Sequence, residues 1–245
     1  MRLLPAALLL AAGLAALPAA AQDAGSGSWD ARLTAVTGEV SVYPAGGGEA
    51  IAASSGMPLD QGDRVATSSG SSAEISLDGS SLIDLQEDSE FTLERTEKSD
   101  TSFFLSLGTL LAKIQALGGY RMSVRTPDAV AAVRGTEFGV ESDANGESRV
   151  GVFDEGRVEV TGQGGREILN ANQETAVRRG FAPERPYALR RFLVRRARMR
   201  AEIRRLRAVR RGWRRLSSAQ RSALRGRMIR RMRRRRRERL LRRRG

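Results

Sequence analysis

The chain has 245 residues, room for one β-rich domain with extra segments or for two small domains, and it contains no cysteine and no histidine. That composition excludes a disulfide framework, a thiolate zinc site and a cysteine nucleophile, and it removes the commonest general base and transition-metal ligand. The net charge of +14 conceals a division, because Arg178 to Gly245 holds 30 Arg against 3 Glu (+27) while the preceding 177 residues hold 12 basic and 25 acidic side chains (−13).

Met1 and Arg2 precede an apolar run from Leu3 to Leu17, followed by Pro18-Ala19-Ala20-Ala21. A basic n-region, an apolar h-region and an Ala19-x-Ala21 site predict a secretory signal peptide over 1–21, cut before Gln22. The alternative is an uncleaved anchor, although Pro5 and Gly13 break a run already short for a bilayer. The expectation is an exported, periplasmic or extracellular protein whose fold rests on a hydrophobic core alone. Residues 22–33 read as a flexible segment.

From Leu33 to about Val177 the pattern is that of short strands. Apolar residues alternate in Val36, Val40, Val42; Ala73, Ile75, Leu77; Phe91, Leu93; Leu110, Ala112, Ile114; Phe138, Val140; Val150, Val152; and Val158, Val160. Gly-containing separators lie between them, among them Gly46-Gly47-Gly48, Asp78-Gly79 and Gly118-Gly119. Asn145-Gly146 predicts a type I′ hairpin turn. Glycine every eight to ten residues suits a mainly β, short-stranded β-helix or roll over 34–177.

Gly180, Pro183 and Pro186 mark a linker over 178–188, after which the period becomes helical. Leu189, Phe192, Met199, Ile203, Leu206 and Trp213 share a stripe that Arg196 and Arg210 interrupt. Ser217 with Gln220 reads as a capping box opening a second helix, lined by Leu224, Met228, Met232 and Leu240. The Arg-rich α-helical segment is thus expected over 189–245. Like charges at i,i+4 oppose it, and an anionic partner would relieve them, so the end from Arg230 onward is expected to fray when free.

Catalytic patterns are missing: there is no P-loop, no G-x-G-x-x-G after a strand, and no triad or HExxH without histidine. Asp78, Asp84, Glu87, Asp88 and Glu90 read as a solvated acidic face, with calcium the alternative, though no EF-hand pattern is present. No enzyme activity, cofactor or metal is expected. The tail's guanidinium groups suit phosphate and carboxylate. Arg230, Arg231, Arg233, Arg234, Arg235, Arg236, Arg237 and Arg239 are the candidate binders of an anionic membrane or lipopolysaccharide surface, and the apolar stripe permits a helix in a membrane interface. Nucleic acid is set aside because the chain is exported.

Thr126-Pro127 forces extended backbone, Ala129 to Val133 are small and apolar, and Gly135 permits a tight turn before Thr136, Phe138 and Val140 alternate as a strand. Arg125, Arg134 and Glu137 are the candidate partner-binding residues here, with Arg134 and Glu137 expected to pair across the bend. "VRTPDAVAAVRGTEFGV" (Val124 to Val140) and "VGVFDEGRVEV" (Val150 to Val160), with "VTGEVSV" at Val36 and "LDQGDRVATSSGSSAEISLDGSSLIDL" at Leu59, resemble the signature of the FecR domain over roughly 34–165. The resemblance implies an extracytoplasmic, β-helix-like domain acting in protein–protein signalling. The name-giving members are inner-membrane regulators that respond to a TonB-dependent receptor and control an iron-uptake sigma factor. Three departures set this sequence apart. Its apolar run begins at Leu3 with no anti-sigma segment before it, that run looks cleavable, and Arg-rich helices stand where the regulators carry a receptor-contacting domain. "WRRLSSAQRSALRGRM" at Trp213 is similar to Trp-x-x-Leu-Ser-x-x-Gln-Arg helical segments of some periplasmic proteins.

Together these features predict a non-catalytic periplasmic binding or scaffold protein. Its β domain would contact an envelope protein or glycan, and its helices would dock on an anionic envelope surface. The alternatives are a signalling component working through a separate membrane regulator, and a polyanion-binding protein.

Overall fold

The computed structural model describes residues 27–115 and 122–242, with the backbone but not the side chains of 235–237 and 239–242. The expected signal peptide and the Gly118-Gly119 separator lie outside the described residues. Seven strands open the chain: β1 (Ala31–Thr37), β2 (Val40–Tyr43), β3 (Ile51–Ala52), β4 (Arg64–Thr67), β5 (Ser72–Leu77), β6 (Ser81–Leu85) and β7 (Ser89–Glu97). The long β8 (Asp100–Lys113) is followed by β9 (Met122–Arg125), β10 (Val130–Val133), β11 (Glu137–Ser142) and β12 (Glu147–Val152). Then come β13 (Arg157–Gly162), β14 (Gly165–Asn170), β15 (Gln173–Arg178) and β16 (Tyr187–Ala188), and the helices α1 (Leu193–Gly212) and α2 (Ser218–Arg242).

The strands form two sheets joined through β8. Sheet A runs β14-β13-β10-β9-β8-β7-β4-β2-β3, and sheet B runs β1-β5-β6-β8-β11-β12-β15-β16. Phe103 and Leu105 point inward, then Leu110 and Ala112 do, a change of phase that period-two geometry cannot make without an inserted residue. The insertion falls where Glu90 pairs with Leu107 but Phe91 with Leu105. Gly108 sits beside it at φ 93°, where a Cβ would strike Ser89. One strand thereby serves both layers. β8 is longer than the short runs read from the sequence because the glycine there bends a strand without ending it.

The expected mainly β architecture with a helical C-terminal segment is the observed one. All ladders are antiparallel except β8 with β9, which makes it a roll rather than a stack of parallel coils. Every alternating residue named above is buried except Val36, which is half-buried, and together they form one core between the sheets. Of the expected flexible segment 22–33, the described residues 27–33 are packed on the domain. β1 begins at Ala31, and Trp29 is buried with its indole N–H donating to Thr101 Oγ1 at 2.8 Å. The 178–188 stretch is likewise tied down, since β16 pairs with β15 and the Glu184 N–H donates to the Ala176 carbonyl.

Two local expectations change in detail. The Asn145-Gly146 hairpin exists, but only Gly146 has positive φ, so its turn is not type I′. Asp143 instead accepts the Asn145 and Glu147 N–H groups at 2.9 Å each, and these hydrogen bonds hold its carboxyl below the usual range. The segment from Thr126 holds two turns. Thr126 Oγ1 accepts the Ala129 N–H and closes β9 onto β10, and Gly135 at φ 68° leads into β11.

Candidate functional site

One cross-strand row on the outer face of sheet B organises the molecule. Reading across β5, β6, β8, β11, β12 and β15, the paired residues are Glu74, Asp84, Leu111, Gly139, Gly151 and Glu174. Carboxylates stand at both ends, and a leucine and two glycines make a trough in the middle. Phe192 fills the trough: a Cβ on Gly139 would lie 2.7 Å from its ring, and one on Gly151 2.6 Å. Phe192 is fully buried there with Leu111, Phe153, Leu189 and Met199, and meets Phe153 edge-on at 6.3 Å.

α1 starts above this anchor and runs along the row. Phe192 at its N-cap offers no capping side chain, so Glu174 of β15 supplies the carboxylate, accepting the Arg191 and Phe192 N–H groups at 3.1 and 3.3 Å. Arg191 and Arg195 reach Glu141, Arg196 and Arg200 reach Asp154, and Arg198 donates to Asp84 at 2.9 Å. Arg205 lies 3.9 Å from Glu74 at the far end. The stripe that seemed open to a membrane interface is therefore occupied by the chain's own β domain: Leu189, Phe192, Met199 and Leu206 are buried on it.

α2 docks by a second set of carboxylates. Trp213 packs on Gly79 beneath the Arg32 guanidinium, 4.2 Å from its centroid. The capping box is present, Ser217 Oγ accepting the Gln220 N–H and Gln220 Oε1 the Ser217 N–H. Asp30, 1 % exposed in its side chain, binds Arg32, Arg221 and the Leu216 N–H. Arg225 spans Asp60 and Asp63. The Trp-x-x-Leu-Ser-x-x-Gln-Arg segment is thus the anchor of α2. The helix continues through Arg242 rather than fraying at Arg230, consistent with the good helix propensity of arginine and with an Arg234–Glu238 pair at i,i+4.

The acidic residues of the β5 to β7 region form a solvated face only in part, since Glu87 and Asp88 are exposed and Glu90 is 44% exposed in its side chain, while Asp84 and Asp78 turn to the helices. Asp84 is buried under Arg198, Asp78 holds Lys98 and Arg215, Glu90 pairs with Arg64, and Glu87 accepts the Gly70 N–H. Nor are Arg125, Arg134 and Glu137 brought together. Arg125 and Arg134 lie at opposite ends of the β9–β10 hairpin, where Arg125 pairs with Glu94 at 2.8 Å. Arg134 is exposed, and Glu137 pairs with Lys113 instead of Arg134. Arg230, Arg231, Arg233 and Arg234 are exposed on α2, while the side chains of Arg235, Arg236, Arg237 and Arg239 are outside the described residues.

Burial raises the Asp84 and Glu74 carboxyls above their ordinary range, against the opposing pull of Arg198 on the first and Thr34 on the second. A raised value means the folded chain holds the proton more tightly than the unfolded one. The stabilisation is full below the ordinary carboxylate range and is lost as pH rises through the raised value. Glu74→Gln should therefore raise Tm at pH 7.5 by a few degrees, roughly 1 kcal/mol, and leave it nearly unchanged at pH 4. Equal melting temperatures at pH 7.5 would show that Glu74 carries no buried-charge penalty.

Residues 63–159 match the family described as FecR protein, a stretch that reaches from the start of β4 into β13 and includes Glu74, Asp84, Leu111, Gly139 and Gly151 of the row. Two crystal structures of a candidate anti-sigma factor from Parabacteroides distasonis ATCC 8503, at 1.65 and 2.50 Å, superpose with a TM-score of 0.48 and 16% identity. The matches cover 54% of this chain and 62% of that one. Among curated proteins no sequence matches the chain. α1, which lies on the row, and α2 both fall outside the matched stretch, and the β roll beneath them matches the FecR protein family over residues 63–159.

Proposed function

We propose that the chain is a non-catalytic binding protein of the cell envelope, whose FecR domain engages a protein or glycan and whose distal α2 docks on an anionic surface. One observation supports this reading most. Arginines up to Arg225 include nine that are paired with carboxylates of the β domain from Arg191 onward, namely Arg191, Arg195, Arg196, Arg198, Arg200, Arg205, Arg215, Arg221 and Arg225. Beyond it, Arg227, Arg230, Arg231, Arg233 and Arg234 are exposed, and among the described residues only Arg234 has a carboxylate, on its own helix. The same residue type thus serves two purposes on either side of Arg225. An arginine near an anionic surface contributes about 1 kcal/mol, so five are worth on the order of 1000-fold in affinity. Full-length chain should bind anionic vesicles in a strongly salt-sensitive manner, and deletion of 226–245 should abolish that binding. Undiminished binding by the truncated chain would sink the docking part of the proposal.

A signalling role through a separate membrane regulator is the second reading. It is favoured by the outer face of sheet A, where Phe104, Arg125, Val130, Thr161 and Arg166 form one row, with Val130 37% exposed and Ile168 of β14 46% exposed. A photocrosslinker at Ala132 that captures a membrane regulator would favour this reading; capture of glycan alone would favour the first.

A further inference from the structure

A groove of about 580 Å³ opens between α2 and the β2–β3 connection, a volume in the range of small-molecule sites. Its sheet-side wall is Pro44, Ala50 and Ile51, and its helix-side wall is Ile229 and Met232. Gly47 and Gly48, both at positive φ, carry the loop around the rim. Two arginines border it. Arg225 is held by Asp60 and Asp63, whereas Arg233 is exposed with no carboxylate partner among the described residues. Glu49, on the same rim, has a partner of its own.

An apolar cleft with a cation at its mouth is poorly matched to either a bare phosphate or a neutral hydrocarbon. A phosphate gains nothing from Ile51, Ile229 and Met232, and a hydrocarbon gains nothing from Arg233. A ligand with both parts uses both: an acyl chain lies along the apolar walls while its anionic head meets the guanidinium. We propose that this groove seats the acyl chain of an anionic phospholipid, with Arg233 at its headgroup. The proposal rests on the anionic-surface reading above and adds to it a component that salt does not screen, because buried apolar area is insensitive to ionic strength in a way that exposed charge is not.

The test uses the full chain throughout, so that any contribution of the N-terminal apolar run is common to every variant. Calorimetric titrations compare water-soluble dioctanoyl phosphatidylglycerol with its glycerophosphoglycerol headgroup at about 0.5 M salt, where the screening length is only a few Å, and with dioctanoyl phosphatidylcholine at about 0.05 M salt, where the charge of Arg233 is less screened. The anionic lipid should bind at least about 100-fold more tightly than the headgroup and more tightly than the choline lipid. Ala50→Trp, which fills the groove from an exposed position, should remove the difference between lipid and headgroup. Met232→Gln on the opposite wall should reduce it, with far-UV circular dichroism unchanged in both variants. Equal binding of lipid and headgroup, equal binding of the two lipids, or an Ala50→Trp chain that binds lipid like the parent overturns the proposal. Salt-sensitive vesicle binding that persists in such a case leaves the docking reading standing. Tight, groove-dependent binding of the monomeric lipid without vesicle docking would instead retain the groove and remove the docking reading.

Discussion

Replacing Phe192 with Ala is expected to destabilise the chain by about 3–5 kcal/mol and to release α1 from sheet B. The ring is fully buried in a trough whose floor is two glycines, so its removal leaves a cavity that no neighbouring side chain can fill. The near end of α1 would then be left with the Glu174 cap, Leu189, Met199 and partly exposed ion pairs such as Arg191 with Glu141, a kind that contributes about 0–1 kcal/mol each. Chemical denaturation reads the loss of stability, and trypsin reads the release through faster cleavage at the arginines of α1. Gly151→Val tests the same contact from the other side, because a Cβ there would meet the ring at 2.6 Å. Unchanged tryptic protection in both variants would mean that Phe192 does not anchor the helix.

Asp30→Ala should cost a similar amount, about 3–5 kcal/mol, because it strips the carboxylate from the largely buried guanidinium of Arg32, leaves that of Arg221 only the half-exposed Asp60, and orphans the Leu216 N–H. The comparison that makes the result informative is Asp100→Ala. That carboxylate pairs with Arg95 at 3.2 Å, but both side chains are more than half exposed, and the loss should be no more than about 1 kcal/mol. Urea denaturation of the two variants should give very different midpoints. Equal small losses would show that the Asp30 network is solvated in solution and does not fasten α2.

Taken together, these contacts reinterpret the charge asymmetry. A +27 segment beside a −13 domain suggests an external anion, and part of that inference was misdirected. The first half of the segment finds its anions at home, on a sheet face where Glu74, Asp84 and Glu174 stand in a single row. Among the described residues, Arg227, Arg230, Arg231 and Arg233 have no carboxylate partner and keep the unmet positive charge.

The alternation of Ile75 with Leu77, of Phe138 with Val140 and of Val150 with Val152 was legible because a strand has a period of two and its buried face must be apolar. The capping box at Ser217 was legible because both of its hydrogen bonds join residues three apart. The change of phase in β8 was also present in the sequence, in the odd spacing between Leu105 and Leu110 around Gly108.

The sequence by itself thus determined a mainly β domain, its inward face, the two helices and the separation of charge, since each depends on spacings of a few residues. Only the tertiary structure decided where the arginines go. The spacing of Gly139 and Gly151 carries no signal until β11 pairs with β12, and Phe192 reads as one member of a helical stripe until the trough they form is seen. The ion pairs that fasten the two helices to the β domain join residues from 42 to 191 positions apart, such as Arg196 with Asp154 and Arg221 with Asp30. Coulombic attraction acts through space and leaves no periodic trace in the sequence, so a solvated acidic face and a helix-binding one read alike until the sheet sets its carboxylates in a row.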